Sequence, residues 1–392
     1  MEFRFNEEQQ MIRDTAAAFL AEVSDSAAIR RAMATEQGYE DAVWARIVGD
    51  MYWQALHIPE QYGGLGLGYI ELVALFEQMG RYLLCSPFLS TVAFATNALL
   101  VAANDEQKNT WLPQIASGEL TGTLAYISPG GNNGPQAVQA VCEKTANGYT
   151  LNGTLRYVLD GHTAGLLIVA ARTKNSSGEQ GISLFAVPAD TAGVTRNWLP
   201  TMDQTRKQAE IVLQNVALPS DALLGSEGAA WPQLQKVLQL AQIAVAAEQM
   251  GGAQQALDIS VEYTKGRYQF NRPIASFQGI KHKAADMMVK AESARSAAYY
   301  AACVAQEALA VAAGGDGDTD LAAELPEAAA IAKAYCSDAF FFNAGSGIQM
   351  HGGVGFTWEY DIQLYFKRAK STETLLGNAV WHREQLAKML LD

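Results

Sequence analysis

The spacing of apolar residues divides the chain into three stretches with different periods. Up to about residue 119, apolar positions recur every three or four residues, as in Met11, Ile12, Ala16, Phe19 and Leu20, and this predicts helices. Asn6 and Gln9 have capping-box spacing at the start of the first. Further amphipathic stretches cover 40–56, 70–84, 89–102 and 105–117. The segment EQYGGLGLGY interrupts them, and its glycines mark a tight loop where backbone can approach another group closely. Between about 120 and 226 the period falls to two, in TGTLAYI, QAVQAV, YTLNGTLRYVL, GLLIVAA, ISLFAV and AEIVLQNV, which predicts short strands separated by Gly, Asn and Pro turns. Strands without helices between them imply a sandwich or barrel, not a parallel sheet. From about 227 the helical period returns over 229–266, 275–312, 325–350 and 372–390, with GGDGDTD at 314–320 as a polar connection. The expected fold class is therefore α+β, mainly α: an N-terminal helical domain (1–119), a β-barrel or sandwich (120–226) and a C-terminal four-helix bundle (227–392).

Composition narrows the function classes. With 392 residues, 49% hydrophobic and 18% charged, the chain can bury a full core in two or three packed units. It has no apolar run of about 18 residues, and MEFRFNEEQQ is acidic where a signal peptide would be basic and then apolar, so the expectation is a cytoplasmic protein with no membrane segment. A formal charge of -13 argues against nucleic acid as a partner. Cys85, Cys142, Cys303 and Cys336 form no C-x-x-C pair, which favours free thiols over a zinc site or a disulfide framework. His57, His162, His282, His351 and His382 never stand four apart, so no metal is expected. There is no P-loop, and no G-x-G-x-x-G opens a helix after a strand; a dinucleotide would have to be held another way.

Three stretches carry candidate chemistry. In RYQFNRPIASFQGIKHKAADM (267–287), Arg267 ends one helical pattern, Pro273 forces an extended crossing, and Gln278 and His282 sit one turn apart on the next helix. The Arg267 guanidinium either caps a helix C-terminus or grips a diphosphate by paired hydrogen bonds, and the residues alone weigh the two equally. In GSGIQMHGGVGFTWEYD (345–361), Gly352 and Gly353 are either a plain C-cap or a place where backbone N–H groups meet a ligand. LNGTLRYVLDGHTAGLLIVAA (151–171) reads as a β-hairpin with an Asn-Gly turn.

Together and in this order these stretches resemble the acyl-CoA dehydrogenase family. PEQYGGLG (59–66), RYQFNRPIASFQGIKH and QMHGGVG (349–355) look like its PExYGGLG, its R-x-x-F-G-x-P-I with Q-x-x-x-H, and its Q-x-x-G-G-x-G flavin element. The resemblance implies an N-terminal helical domain, a middle β-barrel and a C-terminal four-helix bundle holding FAD. It implies that Arg267, Phe270 and Gln278 contact FAD from one subunit, and that Gln349, Gly352 and Gly353 meet its diphosphate and adenylate from a neighbour. Tyr157, Val158 and Leu159 take the place of the family's Trp-Ile-Thr behind the isoalloxazine, and Tyr126–Ser128 lie in the strand facing its pyrimidine. A shared site implies a homo- or hetero-oligomer, a dimer or tetramer. An acyl-CoA thioester is the implied substrate and electron-transfer flavoprotein the usual acceptor, which places the chain in lipid metabolism.

The implied reaction removes an α-proton by a carboxylate while the β-hydrogen leaves as hydride to flavin N5, giving a trans-2-enoyl-CoA. The thioester carbonyl must be polarised by oriented hydrogen bonds and the carboxylate desolvated. This chain departs from the pattern at the base. Aligning KRAK (367–370) and Gly377 puts Leu376 where the Glu commonly stands, and Ala241 occupies the alternative position 26 residues before Arg267. Asn271 also replaces a family glycine, and ISPGGNN (127–133) lacks the usual Thr-Glu-Pro. Glu248, two turns along from Ala241, and Glu373, three residues before Leu376, are the substitute bases; the plainer readings are helix packing for Glu248 and an ion pair with Lys370 or Arg368 for Glu373. YVLDGHTA and HGGVGFTWEYDIQLYFKRA look most like bacterial members that act on steroid or branched acyl chains as heteromers in which one chain carries the carboxylate. The competing reading is a non-catalytic subunit that keeps the fold.

Overall fold

The structure is a computed structural model and describes residues 5–131 and 133–391. Its first helices are α1 (Glu7–Val23), α2 (Ser26–Met33), α3 (Asp41–Gly49), α4 (Tyr69–Arg81), α5 (Asn97–Ala102) and α6 (Asp105–Ala116), with a π-helical segment Leu89–Thr96 leading into α5. The strands that follow are β1 (Gly122–Ala125), β2 (Val141–Thr145), β3 (Gly148–Leu159), β4 (Leu166–Thr173), β5 (Ile182–Pro188), β6 (Val194–Leu199), β7 (Gln208–Pro219) and β8 (Leu223–Leu224). After the long helix α7 (Trp231–Gly266) come the short strands β9 (Tyr268–Gln269) and β10 (Arg272–Pro273), then α8 (Gln278–Ala312), α9 (Thr319–Ala323), α10 (Leu325–His351), α11 (Ile362–Thr374) and α12 (Ala379–Leu391). Among the described residues no helix is long and apolar enough to cross a membrane.

Packing groups these elements into two units that interleave along the chain: residues up to Arg31, Tyr69–Leu84 and Gln242 onward in one, Ala32–Gly68 and Cys85–Ala241 in the other. The period changes near 120 and 227 do not mark these groups, because amphipathicity shows that a helix has a buried face but not which partner covers it. In the helical unit, α1 begins with the expected capping box: Asn6 Oδ1 accepts from Gln9 N (2.8 Å) and Gln9 Oε1 accepts from Asn6 N (3.1 Å). Ala16, Phe19 and Leu20 are buried, whereas Met11 is 64% exposed. Helix α4 is buried from Leu72 to Gly80. It crosses α7 through glycines: a Cβ on Gly80 would lie 2.0 Å from the Glu248 carbonyl oxygen, and one on Gly251 1.8 Å from that of Glu77.

The stretch expected as one helix over 372–390 is the end of α11 and then α12. The break lies at Leu375–Asn378, where Leu376 (φ 60°) and Gly377 (φ 99°) take left-handed backbone. A Cβ on Gly377 would stand 2.6 Å from the Trp381 ring, and Asn378 Oδ1 caps α12 through Trp381 N (2.8 Å). Helical spacing continues across such a break, so period alone does not reveal it.

The other unit carries an eight-stranded sheet in the order β6-β7-β3-β2-β4-β5-β8, with β1 added on β4. Its pairings are antiparallel except β1–β4 and β2–β4. Leu151, Leu155, Leu167, Val169, Phe185 and Ile211 form part of its core. Two strand expectations need correction. Asn152–Gly153 is not a hairpin turn: β3 runs straight through it, and the pair forms a bulge against β7, with Gly153 at φ 147° and Asn152 Oδ1 accepting from Asn215 N (2.8 Å). A Cβ on Gly153 would meet the Ala140 backbone at 2.8 Å, which explains the glycine. QAVQAV (136–141) is not a strand: its first two residues end a 3-10 turn (Pro135–Ala137) that Pro135 opens with its fixed φ, Val138–Ala140 are irregular, and the strand starts at Val141. Strand β6, VTRNWL, shows no alternation because its residues are mostly exposed.

Candidate functional site

In the sheet unit, a bond from Arg156 N to the Ile127 carbonyl (2.7 Å) fastens the segment after β1 to the end of β3, bringing Tyr126–Ser128 beside Tyr157–Leu159. Tyr126 is buried, and desolvation pushes its phenol well above the ordinary value. Ser128 is also buried; its N–H donates to Ala137 O (2.9 Å) and its Oγ accepts from Gln139 N (3.2 Å). A second irregularity in the β3–β7 pairing lies between Leu155 and Val158. There Tyr157 takes φ 60° and is 56% exposed, while Val158 and Leu159 are buried behind it. Thr123 Oγ1 donates to the Leu159 carbonyl (2.7 Å) and fixes the strand end. The result is an exposed aromatic ring on a re-aimed strand above an aliphatic floor.

In the helical unit, Arg267 follows the last residue of α7 and begins the β9–β10 hairpin. Its two central residues, Phe270 (φ 51°) and Asn271 (φ 62°), are both left-handed, as a type I′ turn demands. Asn tolerates this backbone better than other residues with a side chain, so Asn271 can stand in for a glycine. Phe270 is 87% exposed and meets Phe277 edge-on (centroids 6.2 Å). The Arg267 side chain is exposed, with no carboxylate partner among the described residues. Gln278 opens α8 and is exposed.

Gln349 and Gly353 are exposed beside Gly352, which ends α10 at φ 66°. A Cβ on either glycine would meet nothing within 4 Å, so neither is there to let this chain pack against itself. The Tyr263 ring stacks on His351 (4.2 Å, 19°), tying the end of α7 to the end of α10. His351 Nδ1 donates to Gly347 O (2.7 Å), and burial lowers its pKa. The Tyr263–His351 stack brings the end of α7, from which the Arg267 hairpin leads, to the end of α10, where Gly352 and Gly353 follow. An exposed guanidinium and open backbone N–H groups are both donors of the kind that a diphosphate takes.

The positions of a catalytic base are apolar or engaged. Ala241 is fully buried on α7. Glu248 is 4% exposed, directly at the α4–α7 crossing. Glu373 pairs with Lys370 (2.8 Å). Leu376 is 3% exposed, and its carbonyl accepts from His382 Nε2 (3.0 Å) and from Gln242 Nε2 (3.4 Å). Burial, then the nearby Lys333 charge, lowers His382 to about 3, so it is the neutral imidazole that donates.

Beneath this turn lies a residue that sequence reasoning missed. Lys333 of α10 is fully buried; its Nζ donates to Ser337 Oγ (3.0 Å) and to the carbonyls of Gly377 (2.9 Å) and Glu373 (3.3 Å). Ser337 in turn exchanges hydrogen bonds with Gln249 (3.0 and 3.2 Å). The available signal was a lysine and a serine four apart on a helix face otherwise made of Ala, Cys and Phe.

Comparison with known proteins places this geometry in a class. The acyl-CoA dehydrogenase N-terminal, middle and C-terminal domain families match residues 6–119, 128–216 and 228–391. The acyl-CoA dehydrogenase IpdE2 of Mycolicibacterium smegmatis is 30% identical over 98% of this chain and 98% of its own. Butyryl-CoA dehydrogenase of Megasphaera elsdenii superposes with TM-score 0.89 at 27% identity, covering all of both chains. A chain of the ChsE4-ChsE5 complex of Mycobacterium tuberculosis superposes at 0.87 with 26% identity, over 100% of this chain and 99% of that one. A helical, β-sheet and helical chain that matches these families is an oxidoreductase of the flavin-dependent dehydrogenase type. The chain belongs to the acyl-CoA dehydrogenase family.

Proposed function

We propose that this chain performs FAD-dependent α,β-dehydrogenation of an acyl-CoA thioester as one subunit of a heteromer, and that its partner chain supplies the catalytic Glu. The observation that carries the reading is Leu376: an apolar side chain stands at the family's base position, in a turn whose backbone is nevertheless held by His382, Gln242 and Lys333. Leucine takes no proton, and Ala241 offers none at the alternative position. The heteromeric ChsE4-ChsE5 complex shows that a relative of this fold assembles from two chains. Electron-transfer flavoprotein is the proposed acceptor, from the resemblance to the family.

FAD, when bound, supplies the hydride acceptor. By the resemblance, Tyr157, Val158 and Leu159 would wall the ring and Tyr126–Ser128 would line its edge, Arg267, Phe270 and Gln278 would contact the flavin from one subunit, and Gln349, Gly352 and Gly353 would meet its diphosphate and adenylate from a neighbour. The buried aliphatic floor excludes water, which strengthens every hydrogen bond made to the thioester carbonyl.

The test is anaerobic addition of acyl-CoA thioesters to the purified flavin-bound chain, followed in the visible spectrum. The wild type alone stays oxidised, and Leu376→Glu, which restores a carboxylate on the retained turn, bleaches. Bleaching of the wild type would place a base within this chain, and loss of that bleaching in Glu248→Gln would identify it. A chain that binds no flavin under any condition would support the non-catalytic alternative.

A further inference from the structure

The three donor sites of the Lys333 ammonium face three acceptors: Ser337 Oγ and the carbonyls of Glu373 and Gly377. Two of these acceptors bracket the Leu375–Gly377 turn, whose backbone is otherwise costly. Leu376 at φ 60° carries a side chain in a region that disfavours one. An unpaired ammonium in a fully buried position would be expelled or neutralised. Here it is retained, and its bonds run to the backbone of the one turn that carries position 376.

We propose that Lys333 is a positioning residue for the site: its ammonium, held by Ser337 and Gln249 on one side, pins the carbonyls of Glu373 and Gly377 and fixes the direction in which the side chain at position 376 projects. The importance of that direction rests on reading this turn as the border of the acyl site; the pinning itself does not.

The hold is sensitive to protonation. A neutral amine can still donate to both carbonyls while accepting from the Ser337 hydroxyl, which turns toward it as Gln249 presents its amide N–H instead of its oxygen. The charge assistance is then lost, but so is the cost of burying the charge, and the lowered pKa means that the second outweighs the first. Burial lowers the Lys333 pKa to about 7, against opposing pulls from Cys336, Glu373 and Asp338. The other groups facing it are Cys336 beside it on α10, pushed up by burial to about 12, and His382 on α12, lowered to about 3. Glu373 on α11 is paired with Lys370, Asp338 on α10 is paired with Arg383 on α12, and α7 presents the neutral Gln249. Through neutral pH, therefore, neither Cys336 nor His382 changes charge, and Lys333 does.

Hydrogen–deuterium exchange of the substrate-free chain tests this, read at the 371–382 segment and corrected for the intrinsic pH dependence of exchange. Opening the turn returns Lys333 to water and its pKa toward the ordinary lysine value, so opening takes up a proton above about pH 7, and protection of the turn amides rises at least about tenfold between about pH 6 and pH 9. In Lys333→Met, which keeps the length and removes the donors, that segment is poorly protected at every pH while the α8 segments are unchanged. A flat wild-type profile would overturn the proposal whatever the variant does, and so would wild-type protection in Lys333→Met. Because no substrate or flavin is used, these outcomes stand apart from the spectral test of the dehydrogenase reading.

Discussion

Tyr157, Phe270, Asn271 and Leu376 all hold left-handed backbone without being glycine, and all lie at predicted site positions. Such residues persist where surrounding structure over-determines them, and they concentrate where a side chain must be aimed. Phe270 shows this most clearly, because at 87% exposed it gains little from burial within the chain while keeping φ 51°. Phe270→Gly removes the backbone strain at an entropic cost of roughly 0.5–1 kcal/mol, so the melting temperature should stay nearly unchanged. Flavin retention through gel filtration should drop sharply; a variant that keeps its flavin would remove Phe270 from the binding set. Lys333 gives a second test by linkage. Its pKa is lower in the folded state (about 7) than in the unfolded chain (about 10.5), so the unfolded state binds more protons between those values and wild-type stability rises with pH across that window. The stability of Lys333→Met, measured by urea denaturation, should not show this rise, and parallel slopes for the two proteins would contradict the assignment. Arg267, Gln278 and the paired glycines were legible as motifs, but Lys333 was not. A lysine in a helix usually reads as solvated, and only the carbonyls of a turn some forty residues later make its burial tolerable.

At the scale of elements, the period-two stretch found most of the strands and the helical period found the long helices, because alternation and amphipathic spacing are local consequences of having one buried face. What escaped was set by close approach. Asn152–Gly153 has the composition of a hairpin turn, yet the Ala140 backbone against Gly153 and the bond to Asn215 make it a bulge in a continuous strand. The α11–α12 break was likewise hidden, since Gly377 is required by the Trp381 ring and not by any local signal. The α4–α7 crossing makes the same point quantitatively. Gly251→Ala would set a methyl 1.8 Å from the Glu77 carbonyl oxygen, and that contact is with rigid helix backbone. The helices must separate, at a cost of about 1–3 kcal/mol that outweighs the roughly 1 kcal/mol gained by replacing a helical glycine. Thermal unfolding of Gly251→Ala should therefore shift downward, whereas Gly279→Ala on α8, with nothing within 4 Å, should not fall.

For the whole molecule, the proposed function calls for a second subunit, to complete the flavin site and to supply the carboxylate that position 376 lacks. The helical unit exposes Phe270 (87%), Phe356 (74%) and Trp358 (56%), all within or near the elements assigned to the cofactor's diphosphate end. Large exposed aromatics of this kind are characteristic of surfaces that another subunit covers. If a neighbouring subunit's bundle end completes each flavin site, assembly and flavin retention must be lost together. Phe356→Ser with Trp358→Ser leaves both buried cores untouched, so the chain should stay folded while its assembly weakens. Light scattering after gel filtration should then show a smaller mass, and the 371–382 segment should keep its wild-type exchange. The flavin absorbance should leave the protein peak in the same step. A dissociated variant that still carries its flavin would confine the site to one chain, and the partner would then be needed for the carboxylate alone.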